Sequence, residues 1–224
     1  MRAWARLLTS VIRKDLLLEA RAKRGLFLSA VFSMLVTVAF AFGFHRTVGT
    51  PRAVGRSALW VSFLFGGVVL VTQTASVEGR DAALEGLLLA PGDRTAVFLG
   101  KTVANAVFLL GMEIATIGFV TVFLGSIVVP AHLPRFFAAL ALAAVGYAAA
   151  GTLLSLLTVR SALPAVTLPL VLVPVVIPVL VAGLSLTRAT TGAVPVRAWM
   201  TVLAAYDGIL LFAGIALFEP LVET

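Results

Sequence analysis

The chain has 224 residues, of which 61% are hydrophobic and only 12% charged. A soluble domain carries about 25% charged residues, so this composition excludes a soluble, monomeric globule. The formal charge of +7 does not point to nucleic acid, because the basic residues cluster at the chain start and between apolar runs, without aromatic interleaving on one soluble face. With no cysteine, disulfides, thiolate metal sites and a cysteine nucleophile are excluded too. A mean hydropathy of +1.11 predicts an all-α polytopic membrane protein.

Residues 1–24 form a basic amphipathic segment. Trp4, Leu7, Leu8, Val11 and Ile12 fall on one helical face, with Arg2, Arg6, Arg13 and Lys14 mostly opposite. The pattern predicts an interfacial helix whose apolar side sinks to headgroup depth while its arginines meet anionic lipid; the alternative is an amphipathic helix that packs on a partner. No small-residue cleavage site follows closely, so we do not read a cleaved signal peptide here.

Residues 25–224 then read as a transmembrane domain of six spans. They run approximately over 25–44, 57–75, 95–124, 136–157, 163–186 and 199–218, each close to the ~20 residues that cross ~30 Å of hydrocarbon. The third is overlong, which places Lys101 and Asn105 at interface depth, where a lysine snorkels. Eleven Lys and Arg fall on the side of the N-terminal segment and six on the other. That bias predicts cytoplasmic N- and C-termini. No large extramembrane domain is present, so a nucleotide-binding module must be another polypeptide.

Between the second and third spans lies EGRDAALEGLLLAPGDR, residues 78–94. On a helix, Glu78, Asp81 and Glu85 share one stripe while Leu84, Leu87 and Leu88 share its neighbour. Pro91 and Gly92 stop that helix, and Asp93 is a suitable cap for the next. The segment is too short and charged to span, and reads either as a cytoplasmic helix gripped by a partner or as a solvated loop.

The fifth span carries Pro164, Pro169, Pro174 and Pro178. Each deletes a backbone donor, which predicts a kinked or locally unwound helix, serving either flexibility or packing. Gly111 with Ala115 and Gly146 with Ala150 offer close helix approach. Glu113 and Asp207 are mid-span carboxylates, marking a polar path or a helix contact, or else staying protonated and structural. His45 and His132 fall in loops on one side and are weak haem-contact candidates, with no arranged partners. Gly100-Lys101-Thr102 mimics the end of a phosphate-binding loop, but position 95 is threonine and no strand precedes it. No catalytic residue, metal site or bound cofactor is expected of this chain.

The run from Ala58 to Asn105, above all ALEGLLLAP with the following D-R and G-K, resembles the CcmB family of permeases of the cytochrome c maturation ABC transporter. The R-K-D-L-x-x-E pattern at Arg13 to Glu19 and the proline-laden fifth span fit the same family over nearly the full length. Gln73 to Ser76, QTAS, departs from the more polar or basic run that the family pattern implies.

The resemblance implies a six-helix subunit of the bacterial inner membrane, paired with a CcmA-like ABC ATPase that binds the ATP. It implies work beside a haem-handling CcmC-like protein, a single-span CcmD-like helper and a periplasmic CcmE-like haem chaperone, with a second copy of the permease across a two-fold axis. Haem would be handled by the complex, either exported or released with the loaded chaperone. Glu78 to Pro91 would then be the coupling helix. An exporter permease for lipid, polysaccharide or drug, and a non-transporting scaffold for haem-delivery proteins, are the alternatives.

Overall fold

In the computed structural model, residues 2–44, 50–80, 94–125, 127, 132–159, 164–189 and 196–223 are described. They form seven helices: α1 (Arg2–Ala22), α2 (Arg24–Gly43), α3 (Pro51–Arg80), α4 (Arg94–Leu124), α5 (Leu133–Val159), α6 (Pro164–Ala189) and α7 (Val196–Glu223). All but α1 are long and apolar enough to cross a membrane, so the chain is an all-α polytopic membrane protein. The expected spans hold, although α3 begins at Pro51 and runs on to Arg80, taking in the start of the charged insert.

The bundle is held by α4, which packs against α1, α2, α3, α5 and α7, and by α3, which packs against α2, α4, α5 and α6. On α3 the aromatic residues are central. Its Trp60 and Phe63 meet edge to face at 5.5 Å, and Phe63 meets Tyr147 of α5 in the same way at 5.2 Å. The Tyr147 hydroxyl donates to the Leu64 carbonyl at 2.7 Å, and its ring lies over Gly67, where any side chain would collide with it. The Trp60 ring covers Gly183 of α6 while its Nε1 donates to Thr187 Oγ1 at 2.9 Å. Thr187 in turn donates to the Gly183 carbonyl at 2.8 Å. Large rings thus reach polar partners because glycines on the facing helices let them in.

On α2, Gly25, Ser29, Ser33 and Thr37 are buried, while Phe27, Leu35 and Phe42 point outward. Small residues face protein and large apolar ones face out, the inverse of a soluble helix and the arrangement that lipid favours. Ser62 of α3 completes this contact by donating to the Ser33 carbonyl at 3.4 Å.

Two expectations need correction. The proline-rich span is not locally unwound: α6 is helical from Pro164 to Ala189, with Pro169, Pro174 and Pro178 inside it. Pro164 opens the helix, where a missing N–H costs nothing, and the Tyr206 hydroxyl of α7 donates to the Val175 carbonyl amid the inner prolines. Gly111 is not a close-approach site within the chain, since a Cβ there would meet nothing within 4 Å. Gly146 is one, since a Cβ there would sit 2.1 Å from Asp207 Oδ1.

Candidate functional site

The segment singled out by sequence joins α3 to α4. Glu78 lies in the last turns of α3, whereas Asp81, Leu84, Glu85, Leu87, Leu88, Pro91 and the capping Asp93 lie outside the described residues. What can be read is the frame that holds its ends. Trp4 Nε1 of α1 donates to Thr95 Oγ1 at 3.2 Å, in the first turn of α4. One turn further on, Val11 is buried against Gly100, where a Cβ would come within 2.9 Å of its Cγ1. Next to it, Lys101 Nζ reaches Asp15 Oδ2 at 3.8 Å.

This places Lys101 differently from expectation. Instead of snorkelling to the interface, its side chain is 4% exposed and paired with a buried carboxylate on α1, which also holds Lys14 at 3.1 Å. The reason is geometric: α1 lies across the start of α4 and covers the position a lysine would use to reach water. Asn105 is also drawn inward, donating from Nδ2 to Thr152 Oγ1 at 3.0 Å. Gly100-Lys101-Thr102 is therefore part of a helix-docking surface, and the amphipathic face of α1 that carries Val11 packs on its own chain.

The link from α1 to α2 is equally specific. Lys23 takes a left-handed conformation (φ 53°), and its N–H donates to the Glu19 carbonyl at 2.7 Å. Glu19 Oε1 accepts from the Leu26 N–H at 3.0 Å, satisfying a donor in the first turn of α2. Gly25 leaves room for that carboxylate, since a Cβ would fall 2.8 Å from Oε1. Across the same end, Phe98 of α4 meets Phe218 of α7 at a tilt, with ring centroids 5.7 Å apart, and covers Gly214. The start of the chain and the end of α7 thus share one end of the bundle with the start of α4.

Sequence reasoning missed Asp15 and Glu19 as individual residues. The signal was present, for they are the only acids among the seven bases of the first 24 residues, spaced i, i+4 within R-K-D-L-x-x-E.

The mid-span acids are in place. Glu113 on α4 is fully buried, and Asp207 on α7 fits the notch between Gly146 and Val179. None of their four carboxylate oxygens has a hydrogen-bond partner among the described residues. His132 stands half-buried just before α5, and His45 lies outside the described residues. Among the described residues there is no cluster of three or more His, Cys, Asp or Glu that could hold a metal.

A bundle of six spanning helices, with a basic helix braced on the start of the third span, has a counterpart among known families. The sequence model of the CcmB protein family matches residues 6–218. The chain belongs to the CcmB family. It is thereby a membrane component of the cytochrome c maturation, haem-export ABC system, in which the CcmB subunit is the permease and works with an ATPase and other Ccm proteins. Among curated proteins no match is found.

Both named family features acquire a physical role. In R-K-D-L-x-x-E the aspartate pairs with Lys101 and the glutamate caps α2. In the G-K that follows the insert, the glycine admits α1 and the lysine receives Asp15.

Proposed function

We propose that this CcmB-family chain couples ATP hydrolysis by a separate CcmA-like ATPase to helix rearrangement, through residues 78–94. The observation that carries the reading is the placement of this segment between α3, which packs on four other helices, and the start of α4, which packs on five and is clasped there by α1. A force applied there acts on the whole bundle at once. Coupling requires that the ATPase hold the segment differently in its nucleotide states, because equal affinity for both would shift nothing. Glu78, Asp81 and Glu85 serve as charged contacts, Leu84, Leu87 and Leu88 as the apolar key, and Pro91 as the stop. The basic excess at the α1 end supports a cytoplasmic side for that end and both termini, in a bacterial inner membrane. Cargo handling by the complex is haem export or release of the haem-loaded chaperone, beside CcmC-like, CcmD-like and CcmE-like partners and a second copy of this chain.

The test is co-purification with the ATPase, for the intact chain and for a variant carrying Leu84→Asp, Leu87→Asp and Leu88→Asp. The intact chain retains a stimulated ATPase and the variant loses it. Equal retention and stimulation by both would remove the coupling role from this segment.

A further inference from the structure

Two carboxyls in the middle of the bundle have no part in the coupling segment or in the clasp of α1. Glu113 on α4 is fully buried and Asp207 on α7 is 3% exposed, and no oxygen of either has a hydrogen-bond partner among the described residues. They stand at nearly one depth. Asn105 near the start of α4 bonds Thr152 near the end of α5, so the two helices run antiparallel. Eight residues on along α4, Glu113 lies about 12 Å from that contact. Six residues back along α5, Gly146 lies about 9 Å from it, and Asp207 rests against Gly146. Both acids are thus level with one small-residue stretch of α5, where Ala143, Ala144, Gly146 and Ala148 are all buried, and each belongs to a helix that packs on it.

The surroundings supply no cation. Across residues 25–44, 57–77, 136–159, 164–187 and 198–218 the only titratable side chains are Tyr147, Tyr206 and Asp207 itself. Both hydroxyls are committed, Tyr147 to the Leu64 carbonyl and Tyr206 to the Val175 carbonyl. On α4 the nearest charge is Lys101, about 18 Å along the axis and paired with Asp15. Ser33 Oγ of α2 is also without a partner, and it meets Met112 Sδ over Gly66, each within 2.8 Å of where a Cβ would stand. Met112 directly precedes Glu113. An uncommitted hydroxyl and an uncommitted carboxyl therefore share this level of the bundle.

We propose that Glu113 and Asp207 are binding sites for an exchangeable proton, each taking it from water onto a carboxylate oxygen and returning it to water. A proton is the ligand that fits. A buried carboxylate without a donor is costly, and one proton removes its charge without any second ligand. A metal cation needs several oxygens at once, and no such set exists among the described residues. Loading forms a single O–H bond and moves no electrons. In the packing described here both acids are neutral, and either ionises only as its helix contacts open to water. The site rests on this mid-span geometry and not on the coupling segment.

The test has a spectroscopic arm and a functional one. Infrared spectroscopy of the full chain in phospholipid nanodiscs at about pH 7 shows the carbonyl stretch of a carboxylic acid, which water-exposed carboxyls do not give because they are ionised. Glu113→Gln and Asp207→Asn each remove part of that band, whereas Asp15→Asn, whose carboxylate is ion-paired with Lys101, leaves it unchanged. Transfer to deuterium oxide shifts the wild-type band. In cells that lack their own copy, cytochrome c maturation is lost with Glu113→Gln, which keeps the size and hydrogen-bonding ability of the acid but cannot release a proton, and is partly restored with Glu113→Asp. Unfolding temperatures of the purified variants separate loss of the site from loss of fold. Should Glu113→Gln fail to fold, the wild-type band decides, because a band that never shifts in deuterium oxide marks a sealed structural proton and overturns the proposal. A band unchanged in both single variants, or full maturation with Glu113→Gln and Asp207→Asn, overturns it equally. Failure of the ATPase to co-purify with the chain leaves both arms standing, so the coupling reading and this one fail separately.

Discussion

The first turns of α4 and its middle bury charge in opposite ways. Lys101 is buried with Asp15 across from it, on a surface where Thr95 and Gly100 also meet α1. Some three turns on, Glu113 is buried as completely with no partner for either oxygen among the described residues. A buried pair can be static, because each charge compensates the other. A buried carboxylate without a donor is costly in a membrane span, which makes Glu113 a candidate for a role other than stability. The lower part of the helix is a weld, and the middle is where chemistry or motion has room.

The largest effect expected on this contrast comes from breaking the weld. Asp15→Ala leaves Lys101 buried without its carboxylate and detaches α1 from α4 at a cost of about 2 kcal/mol. Trypsin cleavage at Arg13 and Lys14 then rises about thirtyfold. Lys101→Met costs about 1 kcal/mol, because Asp15 keeps Lys14 and the replacement fills the same apolar volume. Equal effects of the two substitutions would show that the pair carries no directional burden.

Glu113→Leu is expected to act in the other direction. Replacing an unpartnered buried acid by a side chain of similar volume leaves the unfolding temperature unchanged or raises stability by about 1 kcal/mol. Cytochrome c maturation in cells falls in the same variant. A destabilised Glu113→Leu would mean that the carboxylate is held by a partner after all, and the contrast along α4 would vanish.

The sequence made the fold legible because lipid imposes a coarse rule: each span must be a long apolar helix, and periodicity need not be fine to reveal it. The charged insert stood out for the same reason. What stayed hidden were partners that depend on how helices cross. Lys101 read as a snorkelling residue because nothing local shows that α1 covers it. The prolines of α6 read as kinking or locally unwinding their span, whereas the helix runs on through all three inner ones to Ala189. Glycines were ambiguous in the same way, for sequence shows a small residue but not whether a ring such as Trp60 or Phe98 occupies the space it leaves.

Gly100 and Gly111, both on α4, test that last point with the smallest expected effect. Gly100→Leu forces α1 away, because Val11 and the Leu8 carbonyl stand where the new side chain must go. Gly111→Leu adds a side chain on an exposed face, beside the outward-pointing Val107 and Ile114, where a Cβ meets nothing within 4 Å. Within a single chain its effect on stability stays inside about 0.5 kcal/mol. Gel filtration and thermal unfolding of the purified chain in detergent read both quantities together. An unchanged unfolding temperature with an unchanged size places this face of α4 against lipid. An unchanged unfolding temperature with loss of a dimer instead places the second copy of the permease on it, since helices in a membrane approach closely where a glycine leaves the backbone bare.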